Sequence, residues 1–323
     1  MAVPSPPEVG ANLASSVDLG ELQRLLSRVA AVFDIDRMLS APADQAAVIE
    51  YYTQSRSLYR NVHSSAGAIH MALSAGGRFR EEDYLEQARR VESLFQPVRP
   101  RRVLELGCGT AFNSGYLASR HPDIQFFALD LTPLHLQEAR QRTRVQDNLQ
   151  LVRGDFHRLP WADQAFDLVF EVEAVCHVRD LDTMLAETFR VLSPGGRFVM
   201  FDGCRHSHFR SLPEPVQIAS RLVEQSMAIQ TDLVLSDCMQ AFEAAGFSLR
   251  EQQDITHLAL PTIKRLQGKA RLFYFWPWMA RQLLRWNPAF ANTVAVYLMP
   301  ETIRTGAHVY LQTVMERPPP SAA

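Results

Sequence analysis

Val103-Leu-Glu-Leu-Gly-Cys-Gly-Thr110 is the stretch on which the fold turns. Val103, Leu104 and Leu106 around Glu105 read as a strand, and a helical pattern opens at Ala111. Between them, Gly107 and Gly109 let the backbone turn tightly and approach a ligand with no Cβ in the way. The helix that follows offers free N–H groups at its first turn. A dinucleotide site would add a third glycine in G-x-G-x-x-G, but residue 112 is Phe. Glu105, inside the strand, is poor company for a pyrophosphate and good company for an ammonium or a sulfonium.

Outward from this turn, short apolar runs alternate with helical patterns. Arg102–Leu106, Gln125–Leu131, Leu149–Gly154, Phe166–Val172 and Arg197–Asp202 read as strands. Ala111–Arg120, Pro133–Val145 and Leu181–Leu192 read as the helices between them. A helix at Ser236–Ala245, a strand at Phe247–Glu251 and a late strand at His308–Met315 follow. The rhythm predicts an α/β, Rossmann-like sheet with helices on both faces. Two further carboxylates fall at strand ends. Asp130, closing Phe127-Ala-Leu-Asp130 about 23 residues after Gly107, can accept both hydroxyls of a ribose. In Gly154-Asp155-Phe156, Asp155 can accept from an adenine amino group and Phe156 can stack on its ring.

These motifs, in this order, resemble the class I S-adenosylmethionine-dependent methyltransferases. Phe166-Asp-Leu-Val-Phe170 and Arg190-Val-Leu-Ser-Pro-Gly-Gly-Arg-Phe-Val-Met200 complete the series, over about residues 100–203. Ala111 departs from the pattern, where many members carry a further glycine. The resemblance implies a seven-stranded sheet and S-adenosyl-L-methionine as cofactor. It implies a cofactor set of Glu105, Gly107, Gly109, Asp130, Leu131, Asp155 and Phe156.

Val172-Glu-Ala-Val-Cys-His-Val178 resembles the I-E-A-x-C-H segment of sterol C24-methyltransferases, at the strand end that faces the transferable methyl in that family. Tyr51, Tyr52 and Tyr59 are similar to the tyrosines preceding its core, whereas its Y-E-Y-G-W-G sequence is missing. The expectation is a C-methyltransferase of a lipophilic small molecule, an alkene of a terpenoid or prenylated compound, and not of sterol itself. Methylating an alkene creates a carbocation, which a base must quench and aromatic faces can hold. Glu173 is assigned to cation stabilisation or proton relay, His177 to general base and Tyr52 to the pocket wall. The bland reading is that Glu173 caps a turn and His177 is structural. N- or O-methylation of a small metabolite, a non-catalytic cofactor-binding protein and an NAD oxidoreductase remain as alternatives.

Residues 1–17 read as a disordered tail, 18–97 as a helical region, and 98–255 with 306–317 as the core. Residues 256–305 form an aromatic-rich insertion, read as an apolar lid over the ligand crevice. A helical hairpin in the core and an interfacial helix are its other readings. Cys204-Arg-His206-Ser-His208 lacks a distant fourth ligand, so no metal is expected. The chain has 323 residues and a net charge of −2, which argues against nucleic acid as a partner. Four scattered cysteines, no signal peptide and no long apolar run point to a cytoplasmic protein with no stable membrane insertion. A homo-oligomer is left open.

Overall fold

The computed structural model describes residues 18–41, 44–96, 99–229 and 232–320. The tail read over 1–17 and the boundary residue Pro97 lie outside them. Before the sheet come α1 (Gly20–Ala30), α2 (Ile35–Leu39), α3 (Gln45–Leu58) and α4 (Glu86–Ser93). Asp34 and Asp44 start α2 and α3 by accepting from Arg37 N and Ala47 N, satisfying donors a first turn leaves orphaned. From α3 the chain winds on as a π-helical turn, Tyr59–His63, which widens the backbone under a cluster of rings.

The sheet then builds as β1 (Arg102–Leu106), α5 (Phe112–Arg120), β2 (Gln125–Asp130), α6 (Pro133–Arg142), β3 (Leu149–Arg153), β4 (Phe166–Val172), α7 (Leu181–Val191) and β5 (Leu192–Arg205). After it come α8 (Glu214–Ser226), α9 (Leu235–Ala244) and β6 (Ser248–Asp254). Then follow α10 (Thr256–Phe273), α11 (Pro277–Trp286), α12 (Thr293–Arg304) and β7 (His308–Glu316). The seven strands lie in the order β3-β2-β1-β4-β5-β7-β6, with β7 antiparallel to both neighbours. The order reverses between β1 and β4, so the ligand crevice of such a sheet opens at their C-terminal ends.

One face of the sheet is covered by Val91 of α4, Leu117 of α5 and Ile263 of α10. The other is covered by Met184 and Leu185 of α7 and Phe242 of α9. A separate helical core joins Leu22 and Leu25 of α1, Leu222 of α8, Tyr274 after α10 and Tyr297 of α12. The N-terminal region and the insertion therefore share one apolar core. α8 has no counterpart in the sequence reading, although Val216, Ala219, Leu222 and Val223 mark its buried stripe. β5 starts five residues before the expected Arg197 and runs three beyond Asp202. The Pro194-Gly-Gly196 turn is absorbed as an irregularity opposite β4, where pairing jumps from Leu192 to Arg197.

The turn after β1 is the local constraint of the crevice. Gly107 and Gly109 have φ of +62° and +54°, and a Cβ on Gly107 would overlap the side chain of Ala174. Gly107→Ala combines left-handed strain with that overlap. It should cost about 2 kcal/mol or more, read as a lowered urea midpoint at unchanged slope.

Candidate functional site

A cavity of about 70 Å³ lies over the turn after β1. Gly107, Asp130, Leu131, Asp155 and Phe156 line it, so five of the expected cofactor residues are brought together. The buried Asp130 accepts from Gly109 N and Thr132 N, both at 2.7 Å, one on each oxygen. Each oxygen keeps lone-pair capacity for a hydroxyl. Asp155 accepts from His157 N at 2.9 Å and from Gln45 Nε2 at 2.6 Å. Gln45, the first residue of α3, thus spans the cavity. Gly109 contributes through its N–H to Asp130 rather than by lining the space.

Glu105 departs from expectation. Its carboxylate lies under the start of α5, accepting from Ser114 N at 3.0 Å, from Ser114 Oγ and from Asn113 Nδ2 at 3.2 Å. Burial raises its pKa to about 7. It anchors the helix and is not among the residues lining the cavity.

The donor set suits the implied cofactor. A hydroxyl-accepting carboxylate, a second carboxylate and a phenyl ring face one crevice behind a glycine turn. Gln45 and Asp155, joined by their hydrogen bond, both line this space.

After β4 the chain turns sharply at Glu173, whose φ is +53°, and enters a 3-10 turn at Val175–His177. Two carboxylates outside the sequence-derived set impose this shape. Glu171, fully buried, accepts from Ala174 N, Val175 N and Phe201 N. Asp202 accepts from Cys176 N and Gly203 N, both at 2.7 Å. Burial raises both acids, Glu171 well above the carboxylate range and Asp202 to about 7. The sequence signal for them was an acid flanked by apolar residues in each of two strands, Phe170-Glu-Val172 and Met200-Phe-Asp202.

Glu173 accepts on Oε1 from Met71 N at 2.7 Å and from the Tyr310 hydroxyl at 2.9 Å. Burial pushes its pKa to about 8, so at neutral pH the isolated chain holds it largely as the acid. His177 Nδ1 lies 3.1 Å from the Ala228 carbonyl, which can only accept, so Nδ1 carries the proton. Nε2 then accepts from the Tyr52 hydroxyl at 3.0 Å. Burial lowers the imidazole to about 4. His177 therefore does not present a free lone pair, and the chemical unit is the Tyr52–His177 pair.

Tyr52, Ile69, Glu173 and His177 also line a second cavity, of about 410 Å³. Around its entrance from the first, Tyr51 and Tyr59 share a hydrogen bond of 2.8 Å, and Tyr51 meets Tyr52 edge to face at 4.9 Å. Apolar side chains such as Ile263, Leu266, Met299 and Ile303 make the far walls. A buried cluster of Arg205, Glu224 and His308 closes one end. Of the insertion's aromatics, only Phe273 and Phe290 line this cavity. Tyr274 and Tyr297 stack on each other at 4.1 Å in the helical core. Phe275, Trp276, Trp278 and Trp286 are 48–87% exposed, because α11 lies on the surface and buries only Ala280. The expected aromatic lid is thus a helical wall with its tryptophans outside.

These pKa shifts set the pH dependence of stability. Glu105, Asp202 and Glu173 hold protons more tightly folded than unfolded, so stability falls as pH rises from about 4 towards 8. His63, His70 and His177, lowered to about 4, add stability with rising pH only up to their unfolded value of 6.5. Above that the carboxyls act alone. Stability should drop by about 3 kcal/mol or more between pH 6.5 and 8.5, and Glu173→Gln should reduce the decline in a series of thermal melts.

Comparison with known proteins gives the same assignment. Residues 104–200 match a family model described as a methyltransferase domain. A malonyl-(acyl-carrier protein) O-methyltransferase of Halorhodospira halophila is 41% identical over 118 residues, 36% of this chain and 40% of that protein. A 24-methylenesterol C-methyltransferase 2 of Oryza sativa subsp. japonica is 28% identical over 198 residues, 60% of this chain and 53% of that protein. The chain thus spans about half the length, or less, of these curated relatives. A crystal structure of geranyl diphosphate C-methyltransferase from Streptomyces coelicolor A3(2) superposes with a TM-score of 0.60 at 15% identity. It covers 86% of this chain and 99% of that one, which shows a common fold. Over residues 104–200 the chain is thus similar to a methyltransferase domain.

Proposed function

We propose that this chain transfers the methyl group of S-adenosylmethionine to an alkene carbon of a lipophilic small molecule, a terpenoid or prenylated compound. The observation that carries this reading is the meeting of two cavities at Tyr52, Ile69, Glu173 and His177. One is lined by carboxylates suited to a nucleoside, and the other is large and apolar. The bound cofactor supplies an electrophilic methyl on a sulfonium. The chain's own residues hold the acceptor against it, exclude water and remove a proton. The phenol rings of Tyr51, Tyr52 and Tyr59 face positive charge with their π-surfaces. Tyr52 Oη accepts the proton released by the cation while passing its own to His177 Nε2. A neighbouring cation also pulls Glu173 towards its carboxylate form, which then stabilises charge beside it. The sterol and geranyl diphosphate enzymes to which the chain is similar are named as C-methyltransferases, which supports carbon as acceptor.

O-methylation is the second reading. It is favoured by the match to the malonyl-(acyl-carrier protein) enzyme, which covers only 36% of this chain. A heteroatom with a lone pair needs only proximity, and the Tyr52–His177 pair would then be dispensable. Incubating the enzyme with labelled adenosylmethionine and a panel of prenylated compounds, and locating the label, decides between carbon and heteroatom.

Two outcomes follow for variants. Asp130→Ala should weaken adenosylmethionine binding about 10- to 150-fold through loss of charged hydrogen bonds. Unchanged affinity by calorimetry would remove Asp130 from the site. With the acceptor from the labelling screen, Tyr52→Phe and His177→Ala should each slow single-turnover transfer by about 10²–10⁴-fold at saturating cofactor. The double variant should be little slower than either, since the two act as one unit. Near-normal rates in both single variants would overturn the relay.

A further inference from the structure

We infer that α11 and the turn before it dock the enzyme onto the surface of an anionic lipid bilayer. Among the described residues no helix is long and apolar enough to cross a membrane, but α11 has the make-up of a helix that lies on one. It buries only Ala280, while Trp278 is 67% and Trp286 87% exposed. Met279, Leu283 and Trp286 follow each other at i, i+4 and i+7, and so share one stripe facing solvent. Leu272, Phe275 and Trp276 extend this apolar surface into the preceding turn. A patch of this kind on a soluble domain marks a contact surface. Tryptophan belongs at the level of lipid headgroups, where its ring is half apolar and half polar.

Charge selects the partner. From residue 255 to 300 the chain has six basic residues, Lys264, Arg265, Lys269, Arg271, Arg281 and Arg285, and no Asp or Glu, although its net charge is −2. Arg265 and Lys269 turn to the carbonyls of His63 and Val62. Arg281 ties α11 to the Ala31 carbonyl at the end of α1, which fixes the helix in place. Arg271 and Arg285 are exposed, Arg271 one residue before Leu272 and Arg285 one residue before Trp286. A second copy of this chain is a poor occupant, since a two-fold contact through the patch sets arginines against arginines. A bilayer with acidic headgroups satisfies both the aromatic and the basic side chains.

Position gives the surface a use. Lys269, Ala270 and Phe273 line the large cavity, and Leu272 and Phe275 next to them face outward. A lipophilic acceptor dissolved in the bilayer then reaches the cavity wall without crossing water. This last clause rests on the proposed lipophilic substrate; the docking itself does not.

The test is flotation of the full chain with vesicles of phosphatidylcholine alone and of phosphatidylcholine with about one-third phosphatidylserine. Binding should favour the acidic vesicles and weaken with salt. Brominated lipids should quench the tryptophan emission. Trp278→Ser with Trp286→Ser should lower partitioning about tenfold or more. Arg271→Gln and Arg285→Gln should each lower it about fivefold. Val145→Ser, which removes a distant exposed apolar side chain (79% exposed), should leave it unchanged. Absence of binding to acidic vesicles overturns the inference. So does equal loss in the Val145 variant, or an oligomer that the double tryptophan variant dissociates. No methyl acceptor is needed, so a failure here and a failure of methyl transfer are separate results.

Discussion

Two buried carboxylates beneath the loop after β4 hold the reacting end of the molecule together. Glu171 and Asp202 sit on adjacent strands, and between them they accept backbone N–H groups from Ala174, Val175, Cys176, Phe201 and Gly203. Three of those donors belong to the short turn that carries Glu173 on one side and His177 on the other. An unpaired buried N–H costs about as much as a lost hydrogen bond, so the turn cannot relax without orphaning several donors. The same acids explain how Glu173, a non-glycine residue, is kept at φ +53°. The left-handed conformation is unfavourable on its own and persists because its neighbours are fixed from below.

That anchoring works through burial, and burial has a chemical consequence. The burial that orders the loop raises Glu173 to about 8 and lowers His177 to about 4. Both side chains are therefore held near their neutral forms. A site built to meet a cation gains from this arrangement, because charge that arrives finds neutral dipoles and polarisable rings already in place. Tyr52 joins the two halves. It grips His177 through its hydroxyl and lies edge to face against His135, which borders Asp130 in the cofactor crevice. α3 therefore touches both the acceptor side and the cofactor side, and Gln45 at its start reaches Asp155. Motion of this one helix changes access to both cavities together.

The crevice after β1 was legible in the sequence because its geometry is local. A strand, a glycine turn and a carboxylate at the next strand end fix their own relative positions once the parallel order is known. Leu131, Asp155 and Phe156 fall in place with them. Glu105 shows the limit: its place in the strand was readable, but the direction of its side chain was set by Ser114 and Asn113 of α5. The loop after β4 was less legible. The hydrogen bonds of Glu173 and His177 reach Met71, Ala228 and Tyr310, which lie 51 to 137 residues away in the chain. No spacing rule connects them. The aromatic composition of the insertion was equally ambiguous, since a tryptophan on a helix carries no mark of whether its face is inward or outward.

This division bears on how specificity is built. The turn after β1 and the strand-end carboxylates Asp130 and Asp155 line the smaller cavity. The walls of the large cavity come instead from α3, the turn after it, α10 and α12, together with strands β5 and β7. Tyr310 illustrates the join, as it is paired in β7 with Gly203 and yet bonds Glu173 in the site. Substituting cavity residues on α10 or α12, such as Leu266 or Met299, alters the volume offered to the acceptor while the backbone contacts of Glu171 and Asp202 stay intact. The two cavities are thus walled by different parts of the chain and meet at a small set of side chains around Tyr52.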